Sequence, residues 1–209
     1  MADWLVIVLK APLASFADSP GNAARRSAAM PTRSALVGLA GAVLGVERTD
    51  EAGQGALARA LVTAAALYEP GQPLADFHTF QSLHQAGKGA RTRAEALLSP
   101  RYIETSITRR DYRSDALWQA AYRLSDVPGD LALDGLAMAF RQPAFAPYIG
   151  RRSCPPSHPF NPQIFSRIDV REAFAAHADL TPFLSGHHAR EFSIEDRVDA
   201  PGANRTSHH

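Results

Sequence analysis

Adjacent arginines recur along this chain at Arg25-Arg26, Arg109-Arg110 and Arg151-Arg152, with Arg33, Arg91, Arg93, Arg101 and Arg113 between them. A guanidinium is planar and always charged; it can bond phosphate through two parallel N–H groups or stack on a base. Lys10 and Lys88 are the only lysines, so arginine carries nearly all of the positive charge. A GC-rich genome produces the same bias. The clustering is therefore more informative than the net charge of +1.

Thr32, Arg33 and Ser34 stand where a helix should begin. Pro31 disfavours helix at Met30, Thr32 or Ser34 can cap the following amides, and Gly45 fits a left-handed C-terminal cap. Leu36, Leu39, Ala40, Val43 and Leu44 give this helix an apolar stripe. Ser34, Gly38, Gly41 or Ala42, and Gly45 give it a nearly bare face that another backbone can approach. Free N–H groups, the positive helix end and the Arg33 guanidinium would converge on one anion, such as a phosphate. The same residues also fit an Ala/Gly-rich helix packed on a sheet with an incidental arginine.

Other reactive groups are less organised. Cys154 is the sole cysteine, which precludes an internal disulfide and fits a reducing cytosol. Within Ser153-Cys154-Pro155-Pro156 it reads as a buried thiol rather than a nucleophile. His187 and His188 are adjacent, cannot share a helix face, and have no partner at metal-ligand spacing, so a solvated pair is expected. Neither a metal nor another cofactor is implied.

The elements that must position these groups follow from periodicity. With 209 residues, 45% of them hydrophobic, one large domain or one and a half is expected. Trp4 to Leu9 reads as a strand buried on both faces, too short for a signal segment or a membrane span, and the protein is expected to be soluble and cytoplasmic. Lys10 to Met30, with Pro12, Pro20, Gly21 and Asn22, reads as a mobile basic loop. A second helix is expected from about Glu51 to Leu61, while Val62 to Tyr68 fits helix or strand equally. Leu74 to Phe80 reads as a strand whose partner begins near Tyr102, with Gln81 to Ser99 between them as an exposed arm. Ile103, Thr105 and Ile107 alternate with polar residues and lead into Arg109-Arg110-Asp111-Tyr112-Arg113. A strand over Leu117 to Leu124 and a helix marked by Leu133, Leu136, Ala137 and Phe140 follow. Gln142 to Pro162, rich in proline and aromatics, reads as a shaped surface. A helix over Val170 to Ala178, a strand near Glu191 to Ile194 and a frayed tail from Asp199 complete the chain. This order predicts an α+β fold, a mainly antiparallel sheet covered by helices in a ferredoxin-like arrangement.

Four stretches match one family in order. They are Pro31-Thr32-Arg33-Ser34 with Leu36-Val37-Gly38-Leu39 and Leu44-Gly45; Asp76-Phe77-His78-Thr79; Arg110-Asp111-Tyr112 with Asp115-Ala116; and Tyr148-Ile149-Gly150-Arg151-Arg152-Ser153-Cys154-Pro155. Together they resemble the CasD family of the type I-E CRISPR surveillance complex, Cascade. The resemblance implies a RAMP-type, RRM-like ferredoxin fold over residues 1–160, with a β-hairpin thumb at about 80–112 and a C-terminal extension over 161–209. It implies a non-catalytic subunit of an antiviral ribonucleoprotein that holds the 5' handle of the CRISPR RNA (crRNA). Its implied partners are the CasC backbone subunits, the large CasA subunit and, through the complex, target double-stranded DNA. Arg25, Arg26, Thr32, Arg33, Ser34, His78, Arg109, Arg110, Tyr112, Arg113, Arg151 and Arg152 are the expected RNA-binding residues.

The thumb region keeps little of the family pattern, and the chain stops at Asn204 to His209 without a recognisable closing strand. A truncated form, or the front of a longer fusion such as one with an HNH nuclease, stays open. The rival function comes from the type I-C relative, which cuts precursor crRNA without metal by 2'-OH attack. Here His78, Tyr112 and an arginine would have to meet at one phosphate. A protein-only adaptor is the third reading.

Overall fold

In chain order the elements are β1 (Ala2–Lys10), β2 (Leu13–Ala14), β3 (Phe16–Ala17), β4 (Ala24–Arg25), β5 (Ser27–Ala28), α1 (Arg33–Leu44), α2 (Glu51–Ala60), β6 (Leu61–Glu69), β7 (Gln72–Leu83), α3 (Arg93–Leu97), β8 (Ile103–Ser114), β9 (Leu117–Leu124), α4 (Leu133–Arg141), β10 (Gln163–Ile168), α5 (Val170–Asp179), β11 (Glu191–Arg197) and β12 (Asn204–His208). The structure, a computed structural model, describes residues 2–17, 24–83, 91–97, 103–126, 129–197 and 204–208. Pro20-Gly21-Asn22, Gly87-Lys88-Gly89, Arg101 and the tail residues 199–203 lie outside the described residues.

The main sheet runs β10-β1-β9-β6-β11-β12 and every pairing in it is antiparallel. Helices α1 and α2 connect β1 to β6, and α4 connects β9 to β10, so these four neighbouring strands lie in the order fourth, first, third, second. Two interleaved β-α-β units in that order are the ferredoxin-like fold. The sheet runs across residue 160, because β10 and β11 are strands of the same sheet as β1.

The period of two along β1 divides its side chains between two cores. Leu5, Ile7 and Leu9 pack with Leu36, Leu39 and Val43 of α1 and Leu136 and Phe140 of α4. Trp4, Val6 and Val8 pack with Val170, Ala173 and Phe174 of α5. A strand covered on both faces has no polar side to show, hence the unbroken apolar run.

Three expectations change, and one left open is decided. Lys10 to Met30 is not simply a loop: β2 pairs with β8, β3 with β5, and β4 runs parallel to β8, with Phe16 and Met30 buried. Residues 61–69 are strand despite Ala64-Ala65-Ala66, because they are buried between β9 and β11, and burial overrides local helix propensity. β10 was not anticipated, since the adjacent Ile164 and Phe165 break its alternation. Asn204–His208 pairs with β11, where a frayed end without a closing strand was expected.

Behind the sheet a directed chain of hydrogen bonds joins the second core. The Tyr68 hydroxyl donates to Gln119 Oε1 (2.8 Å), Gln119 Nε2 donates to His177 Nδ1 (2.7 Å), and His177 Nε2 donates to the Asn161 carbonyl (2.7 Å). This order requires neutral imidazole. Burial pushes the His177 imidazole below its usual range, opposed by its bond to Asn161, and pushes the Tyr68 phenol up to about 12.

Candidate nucleic-acid interface

α1 begins as its sequence dictates. Thr32 is the N-cap, its Oγ1 accepting from the Ala35 amide (3.4 Å), and Gly45 closes the helix at φ 79°. Its bare face is real and lies open. Ser34, Ala35, Gly38, Leu39 and Ala42 form one wall of a groove of about 200 Å³ whose other wall is Tyr148 and Gly150. Nothing lies within 4 Å of the place where a Gly38 side chain would start. Gly41 belongs to a different face, which packs on Leu57 of α2.

The second wall is held by backbone. Ser15 N donates to the Ile149 carbonyl (3.2 Å), and Ile149 N donates to the Cys154 carbonyl (2.8 Å). Gly150 has φ 86°, and a Cβ there would fall 1.8 Å from the Ser15 carbonyl oxygen. Only glycine lets the loop come this close. Cys154 is buried beneath it, and that burial pushes its thiol up, as expected of a structural cysteine.

The structure redistributes the expected cations. Arg33 does not converge with the α1 amides on an anion point. Its Nε donates to Glu195 Oε1 (2.8 Å), and its Nη2 donates to the Ala58 and Leu61 carbonyls. It occupies the helix face of Val37 and Gly41, because residues four apart share a side. Tyr112 is no exposed stacking platform: it is buried at 7% exposure, with the Arg151 guanidinium 4.9 Å from its ring centre. Arg109, Arg110, Tyr112 and Arg113 do not form one cluster, because β8 continues through them and alternates their side chains. Arg110 and Tyr112 share a face with Asp76 and Leu74, which oppose them on β7. Arg109 and Arg113 lie on the other face, where Arg109 Nε donates to Asp111 Oδ1 (2.9 Å) and its guanidinium stacks over Phe77.

The backbone of Arg25 pairs alongside Arg110 in the parallel β4 and β8 ladder, which brings two of the basic stretches together. Arg26 and Arg152 are exposed. His78 pairs with Asp76 and opposes Thr108. Four positions of strand separate it from Leu74, the residue opposite Tyr112, or about 13 Å along β7. His78 and Tyr112 are therefore not brought together at one point.

Two features escaped sequence reasoning. Tyr148 lines the groove and is half exposed, although only its place in the family motif marked it. The hairpin of β7 and β8 shows exposed apolar side chains on both faces, Phe77 and Ile107 on one and Leu74 and Phe80 on the other. An apolar residue at nearly every third position of β7 is the signal that was available.

The family model described as CRISPR-associated protein (Cas_Cas5) matches residues 4–207. The chain belongs to the Cas5 family. Over 167 residues it is 29% identical to the CRISPR system Cascade subunit CasD of Escherichia coli (strain K12), a match covering 76% of this chain and 70% of that one. A solved CRISPR RNA-guided surveillance complex contains a similar chain, with TM-score 0.58 and 26% identity, covering 81% of this Cas5-family chain and 66% of that one. A solved Cas protein has the same fold, with TM-score 0.59 and 23% identity over 98% of this chain and 90% of the other. Among the described residues, no helix is long and apolar enough to cross a membrane.

Proposed function

We propose that this Cas5-family chain is a crRNA-binding subunit that clamps the 5' handle in the groove between α1 and the Tyr148–Gly150 loop, without cutting it. The groove carries the reading. One wall is a helix face of mostly small residues, the other is a close-packed loop, and exposed Arg152 and half-buried Arg151 follow directly on that loop. A sugar-phosphate strand can lie against such a wall, the Ser34 hydroxyl can donate to it, and Tyr148 offers a ring to an unstacked base. The exposed hairpin, with Arg109, Arg110 and Arg113 divided between its faces, would extend the contact to the CasC backbone. The large CasA subunit and target double-stranded DNA complete the proposed partners of the assembly.

The test is to incubate the purified chain with its cognate repeat RNA without metal, following gel shift and cleavage together. A shift without a cut is expected. Absence of binding would sink the clamp. A discrete cut lost on His78→Ala or Tyr112→Phe would make the chain a processing endoribonuclease instead.

A further inference from the structure

Arg33 and Glu195 lie 162 residues apart in sequence and join four elements. The Arg33 guanidinium meets the Ala58 and Leu61 carbonyls at the C-terminal end of α2. A cation there also faces the negative end of the helix. Glu195 takes the other side. Its Oε1 accepts from Arg33, and its Oε2 accepts from the Thr63 amide (3.1 Å) and the Thr63 hydroxyl (3.3 Å). The β6 to β11 register reaches Ala64 and Ile194, so the Glu195 carboxylate occupies the next rung of the ladder and passes it on to Arg33. The Glu195 side chain is only 9% exposed.

Arg33 is the first residue of α1, and Ser34, Ala35 and Gly38 directly after it are groove wall. We infer that the Arg33–Glu195 pair is a positioning clasp, setting the first turn of α1 against the Tyr148–Gly150 loop so that the groove keeps its width for RNA, with Arg33 touching no phosphate itself. The inference rests on the clamp reading.

Two readouts keep the two apart. Affinity of folded protein for the repeat RNA is measured across salt concentrations for wild type, Arg33→Gln, Glu195→Gln and the double variant. Amide hydrogen exchange over residues 34–38 is measured on the same proteins without RNA. Each single variant is expected to raise Kd about tenfold, and the double no further than the worse single, because both break one unit. The slope of log affinity against log salt should stay unchanged, and exchange over 34–38 should quicken. A slope shallower by about 0.7 for Arg33→Gln, with Glu195→Gln silent or tighter, would make Arg33 a phosphate contact and overturn the clasp. A lower Tm with unchanged Kd and exchange overturns it as well, since the pair would then serve stability alone. Should Arg33→Gln not fold, Arg33→Lys keeps the charge and loses the fork, and the same outcomes apply. If the wild type binds no repeat RNA, the clamp fails, and the exchange over 34–38 still decides whether the pair positions α1.

Discussion

Gly38→Ala should move stability and RNA affinity in opposite directions. Gly38 is inside α1 with ordinary helical backbone, and a methyl group there meets nothing within 4 Å. Glycine in a helix interior costs roughly 0.5–1 kcal/mol relative to alanine through the entropy of the unfolded chain. The substitution should therefore stabilise by about that amount, which for a chain of this size raises Tm by about 1–4 °C. The same methyl projects into the groove shared with Tyr148 and Gly150. If RNA backbone packs against the bare helix face, one added carbon is an overpacking defect of about 1–3 kcal/mol, or roughly 5-fold to 150-fold in Kd. Calorimetry and titration of the repeat RNA against the same preparation read both signs. A variant that is more stable and binds as well as wild type would show that RNA does not lie on this face. A less stable variant would refute the account of Gly38 itself.

Three other outcomes follow from the packing. Gly150→Ala should destabilise by about 2 kcal/mol or more in denaturant titration, since it strains a left-handed residue and drives a Cβ into the Ser15 carbonyl; an unchanged midpoint would contradict that approach. His177 binds a proton less readily when folded than unfolded, so its contribution is complete above the ordinary value of 6.5 and declines as pH falls from there towards its lowered folded value. Unfolding free energies measured between pH 7.5 and 5 should show that decline in the wild type and a flatter profile in His177→Gln, and equal profiles would count against the buried neutral imidazole. Cys154 should resist a thiol reagent in the native protein and react fully once denatured, whereas rapid native labelling would contradict its burial.

The parts that were legible in the sequence rest on local rules. Pro31, Thr32 and Gly45 delimit α1 because capping needs only neighbouring residues, and the unbroken run of Trp4 to Leu9 announced a strand buried on both sides. The ferredoxin-like arrangement was anticipated because helices follow the first strand and a later one, although β6 was left open and β10 was missed. Arg33 shows where such rules stop. Its type and place at a helix start are those of an anion ligand, and only the distant Glu195 and the end of α2 assign it elsewhere. The basic run from Arg109 to Arg113 is a different case. Alternation was visible up to Thr108, and carrying it five residues further would have divided the cluster between two faces. Ala64-Ala65-Ala66 could not be decided locally, since its fate depends on strands β9 and β11 that arrive later.

The central place of β1 carries a consequence for synthesis. Its neighbours in the sheet are β9 and β10, so the most apolar strand of the fold is made early and finds its partners late. At roughly 5–20 residues per second, the hundred or so residues before β9 take about 5–20 s to emerge, and Trp4 to Leu9 waits that long without a partner on either side. A nascent chain in that interval is a substrate for chaperones that bind extended apolar segments, and its yield should depend on them more than on the stability of the finished sheet.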